Sequence, residues 1–560
     1  MKRKFLAILM AGIMILGLGA CGNEPTDNDT PASENTQTEE ESREMTGSAT
    51  DTIKPVRPKD PSLEIGHPTD SVEPTFEPTP EPTPEPEVIP EKKEEYLKIT
   101  RDYIYDSCYE ETMIAYGHYN TLHLESTEYP ELTKAVNSYN TLLSNEMQAG
   151  LDKLEEWGLD EYREYGAESF RGPYVLENDS YIRRADSEVL SVIENVYEYT
   201  GGAHGNESFG FANIDVATGE DLALEDVIVE LHLLPGILET ELKEKYPEVE
   251  YWNDSLYSML AEYVEPTSAD YQPTFTWTLD YEGVTFYFSD YEISSYVDGT
   301  QQVTLTYSEY PSIFNEKYFV GGTEKNYVLE LPDCWRVSDV DLYGDGKTDY
   351  ISVCRNYTGE GDYSDSCDIT VNGNTLTQDM YCYDLDTYLV KSEGDYYLYA
   401  HRTMENDYQT VNVFKITDTS VESVGEFAGG VEMFTNSKEF EVSRRFDLLS
   451  TYQAVAKCYV GEAGLPVEYN NTYKVLRDMV LTSITDMTVD LVDEEGNLLG
   501  STYTFPAGTT YRFIATDGSS FVDVEMSDGQ RGRLYVTSGW PIMVNGIDAE
   551  ELFEMLYFAG

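Results

Sequence analysis

The chain has 560 residues, enough for several domains, and 105 acidic residues against 36 basic ones give it a formal net charge of −69. A field of this sign repels nucleic acids and anionic lipid headgroups, so DNA or RNA binding is excluded as a primary role. The same field attracts cations and cationic proteins, although acidity also serves solubility alone. The 46 tyrosines suit half-buried strands as well as sugar- or protein-binding surfaces.

The first twenty residues have the pattern of a secretion signal. Lys2, Arg3 and Lys4 precede an uncharged apolar stretch, residues 5–20, that is shorter than a membrane-spanning helix. The following Leu-Gly-Ala-Cys, which ends at Cys21, resembles the lipobox of bacterial lipoproteins, in which the cysteine is acylated. The resemblance predicts a lipid anchor at Cys21 on the outer face of the cytoplasmic membrane, facing the cell wall. The alternative is an ordinary cleaved signal with an incidental cysteine.

Residues 21–94 are predicted to form a disordered stalk. They are rich in Pro, Thr, Glu, Ser and Asp, and the tract EPTFEPTPEPTPEPEVIPE favours an extended polyproline II conformation. Negative charges along the tract add extension. The stalk therefore lifts the folded part away from the membrane.

Residues 95–322 are predicted to be an α+β antiparallel-sheet module in two halves, 95–195 and 196–322. Apolar residues recur at helical spacing over residues 131–157, at Leu132, Val136, Tyr139, Leu143 and Met147. A second helical region, capped by Asp226, is expected to run to about Val264. Strands are expected at 103–108, 113–122, 189–199, 209–216, 274–279, 284–288 and 302–307.

The remainder is predicted to be an all-β region, divided into 323–485 and 486–560. Strands alternate with Gly, Asp and Asn turns, and two hairpin signals, Asp517-Gly518 and Asp528-Gly529, join strands at 510–515, 521–526 and 532–536. These three strands fit a small SH3-like barrel, followed by a helix over 549–558. Cys354 and Cys367 flank one turn and are candidates to close it with a disulfide, or to remain thiols.

One glycine-rich segment stands out as a candidate site: Gly201, Gly202, Ala203 and His204 in YTGGAHGN. Paired glycines permit positive φ or close backbone approach. The histidine is either a ligand contact or catalytic base, or part of a tight turn in which it satisfies backbone groups.

This segment, together with IDVATGEDLALEDV and FYFSDYEISSYVDGTQQVTLTYSEY, resembles a paired extracytoplasmic domain family. Members form the outer part of the lysozyme-sensing anti-sigma factor of Gram-positive bacteria and accompany the catalytic domain of some peptidoglycan deacetylases. The resemblance covers about 95–320. It implies an α+β fold, binding of lysozyme or a related ligand, and ligand contacts at Gly201, Gly202, Ala203 and His204 with Tyr291 and Glu292. The chain lacks a sigma-binding segment and a metal-binding deacetylase motif, so only the binding module is carried over.

A second segment, DLYGDGKTD from Asp341 to Asp349, resembles the short calcium loops of surface β-proteins. Alternate carboxylates on a tight glycine turn suit an ion that takes six to eight oxygens. The expected ligands are Asp341, Asp345 and Asp349, with Asp339 compensating for the tyrosine at the third position. An acidic hairpin without an ion is equally compatible.

The sequence therefore predicts a surface-anchored lipoprotein with a non-catalytic binding module for lysozyme or cell-wall glycan. No Gly-x-Ser-x-Gly, Walker or His-Glu-x-x-His motif is present. Two alternatives stay open: a cell-wall-modifying hydrolase centred on His204, and a calcium-stabilised structural surface protein.

Overall fold

The computed structural model describes residues 96–124, 128–252, 255–267, 272–319, 326–331, 338–342, 344–357, 363–432, 434–537 and 539–559. The predicted signal peptide, Cys21 and the predicted stalk lie outside these ranges. The described residues belong to one compact unit that is mostly β, with few helices. No helix among them is long and apolar enough to cross a membrane.

The first sheet has five strands in sequential order, packed against one long helix, α1 (Pro130–Tyr165). Its strands are β1 (Ile99–Tyr109), β2 (Met113–Leu124), β3 (Tyr174–Ala185), β4 (Val189–Tyr199) and β5 (Asn206–Asp215). All pairs are antiparallel except β2 with β3, because α1 is the crossover between them. The five residues predicted at helical spacing are all buried against this sheet, which confirms the helix and its inward face.

The second helical region ends at Val264 as predicted, but it is broken into separate helices. It consists of α2 (Leu224–Val227), α3 (Leu234–Lys245) and α4 (Leu256–Val264). Asp226 is not the N-cap: it lies inside α2, and its carboxylate accepts a hydrogen bond from the Ala223 amide at 3.0 Å. Pro247 excludes its predecessor Tyr246 from helical geometry, and α3 ends there.

These helices pack on a three-stranded antiparallel sheet of β6 (Thr276–Leu279), β7 (Gly283–Phe288) and β8 (Gln301–Thr306). Two further sheets follow. One has the order β17-β16-β15-β14-β9, and the other β10-β11-β12-β13. Their bounds are β9 (Asn326–Leu331), β10 (Ser338–Val340), β11 (Asp349–Asn356), β12 (Ser364–Val371), β13 (Asn374–Cys382), β14 (Asp384–Ser392), β15 (Asp395–Met404), β16 (Tyr408–Ile416) and β17 (Val421–Ala428).

In the pairing of β11 with β12, Cys354 lies opposite Asp368, and Cys367 opposite Arg355. Adjacent residues of a strand point to opposite faces, so the two cysteines lie on opposite sides of the sheet. They therefore cannot form the disulfide considered from the sequence.

The last sheet contains thirteen strands, and its hydrogen-bonded path continues across residues 485 and 486. Its strands are β18 (Gly430–Glu432), β19 (Phe440–Asp447), β20 (Thr451–Val460), β21 (Pro466–Glu468), β22 (Tyr473–Val475), β23 (Val480–Thr482), β24 (Met487–Val492), β25 (Leu498–Phe505), β26 (Thr510–Thr516), β27 (Phe521–Met526), β28 (Arg531–Thr537), β29 (Met543–Val544) and β30 (Ile547–Asp548). Both predicted hairpins are present as β26-β27 and β27-β28. The SH3-like barrel is not confirmed.

The predicted terminal helix over 549–558 is wrong. Only one 3-10 turn forms, Ala549–Glu551, and the following backbone bonds to neighbouring strands instead. The Glu554 amide donates to the Thr482 carbonyl, and Tyr557 accepts from Thr451. Pairing with these strands competes with helix formation, while Leu552 and Phe553 are buried.

Buried charges tie the α+β half to the β-rich half and fix their relative position. Arg183 of β3 forms a bidentate ion pair with Asp280, at 2.8 and 3.2 Å, and also donates to the Glu330 carbonyl. Glu282, between β6 and β7, accepts from Lys391 at 2.8 Å and from the hydroxyls of Tyr327 and Tyr396. Because each charge is buried with a partner, breaking either contact leaves an uncompensated group.

Candidate functional site

The segment Gly201–His204 is the turn between β4 and β5. Gly201 has φ of +78°, a conformation that favours glycine, and a Cβ at Gly205 would lie 2.4 Å from the Tyr197 ring. Gly202, Ala203 and His204 are exposed at the tip. The glycines therefore let the turn pack closely on the sheet while it presents His204 outward.

A second loop, Ser289–Tyr296 between β7 and β8, is fastened beside this turn. The Asp290 amide donates to the Glu207 carbonyl at 3.1 Å, and the Asp290 carboxylate accepts from the Glu207 amide at 2.9 Å. The Ser289 hydroxyl accepts from the Phe209 amide at 3.2 Å. These bonds hold residues about eighty positions apart in a fixed relation.

The two loops bring aromatic rings together at the surface. His204 stacks on Tyr296 with ring centroids 3.6 Å apart and an angle of 17° between planes. Tyr291 stacks on Tyr296 at 5.7 Å, and its hydroxyl lies 3.5 Å from Nε2 of His204. The indole N–H of Trp252 donates to the Tyr291 carbonyl at 3.1 Å. We call His204, Tyr291, Tyr296 and Trp252 the aromatic cluster.

The cluster is exposed and acidic. Tyr291 is 48% exposed and Trp252 is 53% exposed, and neither belongs to a hydrophobic core. Partial burial raises the pKa of Tyr296, and the nearby carboxylates of Asp290 and Glu207 add to the shift. Rings held rigidly beside negative charge suit two ligand types, a protonated amine or guanidinium and the apolar face of a sugar.

Tyr291 itself has a positive φ of 64°. A bulky residue in the left-handed region is held there by its surroundings at a cost of about 1–2 kcal/mol. The backbone bonds of Asp290 and Trp252 on either side supply that constraint. The position of the Tyr291 ring therefore depends on a strained backbone conformation.

The structure brings together most of the residues that the sequence analysis predicts to contact a ligand. His204 and Tyr291 meet directly, while Gly201 shapes the turn from a buried position. Glu292 is different: its carboxylate oxygens accept from the Ser289 amide at 2.7 Å and the Tyr263 hydroxyl at 2.8 Å, and burial raises its pKa. Glu292 therefore stabilises the loop from within.

Sequence reasoning missed Tyr296 and Trp252. Tyr296 lies inside the segment quoted for the family resemblance, but nothing in its spacing distinguishes it from the neighbouring tyrosines. Trp252 lies almost forty residues before Tyr291, and only the pairing of residues 251–252 with the 291–294 segment brings them together.

The surroundings of His204 bear on the hydrolase alternative. Its Nδ1 lies 2.9 Å from the Gly205 carbonyl, so Nδ1 carries the proton and Nε2 is the acceptor facing Tyr291. A general base that activates a nucleophile needs a Ser, Cys or water-orienting group within reach. Within the described ranges, the recorded contacts of the ring are this carbonyl, Tyr291 and Tyr296.

The candidate calcium loop uses its carboxylates internally. Asp341 accepts from the amides of Gly344 and Gly346 at 2.6 and 2.8 Å, and Asp349 accepts from the Leu342 amide at 2.7 Å. Asp345 accepts from the Lys347 amide, and the side chain of Asp339 lies outside the described residues. Among the residues that are described, no group of three or more His, Cys, Asp or Glu is arranged to hold a metal.

The loop is also docked on the α+β half, because the Asp341 amide donates to Glu282 and the Thr306 hydroxyl donates to the Gly346 carbonyl. These contacts give Asp341 a structural role that needs no ion. Calcium binding here stays a prediction.

A family model described as "Protein of unknown function (DUF3298)" matches residues 225–308. The chain contains a DUF3298 domain. This domain runs from α2 to β8 and includes Trp252, Tyr291 and Tyr296, whereas His204 lies before it. The aromatic cluster is thus built partly from the DUF3298 domain and partly from the preceding β4-β5 hairpin.

Two solved structures of DUF3298 proteins resemble the chain. The one from Bacteroides fragilis is 18% identical, covers 39% of this chain and 94% of its own, and has a TM-score of 0.31. The one from Pseudomonas aeruginosa is 20% identical, covers 40% of this chain and 97% of its own, and has a TM-score of 0.26. No curated protein matches the chain.

Proposed function

We propose that the protein is a surface-anchored lipoprotein whose α+β half binds a cationic protein such as lysozyme, or a cell-wall glycan, without catalysis. The observation that carries the proposal is the aromatic cluster, in which rings from separate segments are exposed and fixed beside Asp290 and Glu207. Rings that contribute to no core are a cost to solubility unless they serve recognition.

A cationic partner suits the cluster because lysine and arginine side chains interact with tyrosine and tryptophan faces as well as with carboxylates. The net charge of −69 adds long-range attraction that speeds encounter. A glycan suits the same rings through stacking, but gains nothing from the charge. The dependence of affinity on salt therefore separates the two ligands.

The test is calorimetric titration of the purified chain with lysozyme, at low and physiological salt, beside an unrelated cationic protein of similar charge. Binding to lysozyme alone that survives physiological salt supports a specific site. The variant His204→Ala should weaken it about tenfold, as expected when one stacked contact of about 1.4 kcal/mol is lost.

A matched control is His232→Ala, because His232 is exposed on the segment between α2 and α3 and has no contact with the cluster. Equal binding of both cationic proteins, abolished by salt, would reduce the effect to bulk charge and contradict the proposal. In that case titration with soluble wall glycan fragments decides whether the cluster binds sugar.

The second candidate is a wall hydrolase in which His204 acts as base, and its exposed Nε2 is the observation in its favour. Release of muropeptides from purified cell walls, lost in His204→Ala while the fold persists, would establish it. Absence of release by the wild-type chain would leave the binding role.

A further inference from the structure

A polar group is buried between α1 and the first sheet. At its centre is Glu194 of β4, which is 6% exposed. Its Oε1 accepts from the Tyr139 hydroxyl at 2.5 Å and its Oε2 from the Asn178 amide nitrogen at 3.0 Å. The core around it is formed by apolar residues, so this carboxylate and the polar side chains beside it are an exception there.

Two neighbouring oxygen atoms have no hydrogen-bond partner in the described part of the chain. Ser180 lies directly opposite Glu194 in the pairing of β3 with β4, and Asn178 is two residues before it on the same face. Both residues are buried, and Oγ of Ser180 and Oδ1 of Asn178 are unpartnered. Each such atom costs about 1–3 kcal/mol unless something satisfies it.

A second carboxylate, Glu146, lies two turns after Tyr139 on α1 and therefore on the same face of the helix. Oε1 of Glu146 is buried and likewise has no hydrogen-bond partner in the ranges described. Burial raises the pKa of Glu146, and the charge of Glu194 raises it further. Burial also raises the pKa of Glu194. No Lys or Arg forms a recorded ion pair with either carboxylate in this part of the structure.

Gly210 of β5 leaves space for the Glu194 carboxylate, because a Cβ at this position would lie 2.8 Å from Oε2 of Glu194. Any other residue at this position would displace the carboxylate. The local sequence therefore supplies two acids, an amide oxygen and a hydroxyl, together with a glycine that makes room for them.

We propose that Glu146, Asn178, Ser180 and Glu194 bind a hard divalent cation, with Ca²⁺ as the probe. All four donors are oxygens, the ligand type that Ca²⁺ prefers, and the two carboxylates match its charge. The cation satisfies the unpartnered oxygens and removes the repulsion between the acids. This site is separate from the Asp341 loop and from the aromatic cluster, and it is independent of the proposed binding function.

The test is calorimetric titration of the chelator-treated full chain with Ca²⁺ in physiological salt, which suppresses binding by bulk charge. Glu146→Gln and Ser180→Ala each remove one ligand and should weaken one Ca²⁺ site about tenfold or more. Glu156→Gln, an exposed acid on the same helix, and Asp345→Asn, in the other loop, should leave that site unchanged. Circular dichroism checks that each variant is folded.

Glu146 is only partly buried, so Glu146→Gln keeps the test valid if Ser180→Ala fails to fold. The proposal is overturned if the wild-type chain binds no Ca²⁺ in physiological salt, or if folded Glu146→Gln binds it as tightly as the wild type. It is also overturned if Asp345→Asn alone removes binding. A melting temperature that rises in Glu146→Gln equally with and without Ca²⁺ would indicate a shared proton instead, and likewise overturns it.

Discussion

Replacing Tyr291 separates the cost of its conformation from the use of its ring. Tyr291 has φ of +64° and a side chain that is 48% exposed, stacked on Tyr296 at 5.7 Å. Tyr291→Gly and Tyr291→Ala both remove the ring. Only the glycine variant also removes the Cβ that makes the left-handed conformation unfavourable.

The structure indicates which contributions change the free energy of unfolding of each variant. Removing the strain of the left-handed conformation stabilises the glycine variant by about 1–2 kcal/mol. The greater freedom of its unfolded chain destabilises it by about 0.5–1 kcal/mol. Loss of one half-exposed stacked pair destabilises both variants by about 1 kcal/mol. We therefore expect Tyr291→Gly to unfold at nearly the wild-type urea concentration, and Tyr291→Ala to be less stable than Tyr291→Gly by about 1 kcal/mol.

The assay has two readouts on the same preparations. Urea unfolding gives the free energy of unfolding, and calorimetry with lysozyme gives the affinity. Both variants lack the ring, so both should lose affinity by the same factor, about tenfold for a contact of this kind. A glycine variant that is as stable as the wild type but binds weakly would show that the strained position serves binding.

Two results would refute this reasoning. A glycine variant that is less stable than the alanine variant by about 0.5–1 kcal/mol would mean that the positive φ carries no strain, because only the unfolded-chain freedom of glycine would then separate the two variants. Wild-type affinity in either variant would mean that the Tyr291 ring does not touch the ligand, and the aromatic cluster would lose its assigned role.

Three further outcomes are expected. Arg183→Ala leaves the carboxylate of Asp280 buried without its cation and should lower the free energy of unfolding in urea by about 3–5 kcal/mol; a loss below 1 kcal/mol would contradict the role of this pair in joining β3 to the β6-β7 hairpin within the α+β half. Burial alone would lower the pKa of His118, but the hydrogen bond and charge of Asp179 outweigh it, so the folded pKa is raised. The stabilisation is therefore complete below the unfolded pKa of about 6.5 and is lost as pH rises through the folded value, and His118→Gln should flatten the dependence of melting temperature on pH in that window. Gly205→Ala places a methyl group against the Tyr197 ring and should weaken lysozyme binding although the His204 side chain is retained. Calorimetry or chemical-shift comparison with Gly202→Ala will check this.

The patterns of apolar and turn residues predict α1 and ten of the thirty described strands, and they miss β3. The spacing at Leu132, Val136, Tyr139, Leu143 and Met147 is a local property of one helix, and burial of one face follows from it directly. The strand over 189–199 and the hairpins at Asp517-Gly518 and Asp528-Gly529 depend equally on short-range signals. Such elements need no knowledge of distant residues.

The wrong prediction of a terminal helix arises where distant strands compete for the backbone. Residues 549–558 have a helical pattern, yet strand neighbours at Thr482 and Thr451 take their hydrogen bonds. The acids of the Asp341 loop have ligand spacing and also accept hydrogen bonds from amides of the same loop, and calcium binding there stays a prediction. Sequence spacing cannot show which donors will reach a carboxylate.

By itself, the sequence determined the acidic character of the chain, the helix α1, ten of the described strands and the glycine turn that holds His204, because each depends on composition or on neighbours along the chain. Only the tertiary structure decided which side chains meet. Tyr296 and Trp252 join His204 because the Asp290–Glu207 hydrogen bonds pair two remote loops and Trp252 donates to Tyr291, and Glu146 lies near Glu194 because α1 packs on the first sheet. These contacts arise from how sheets pack and pair over long separations, which no local pattern records.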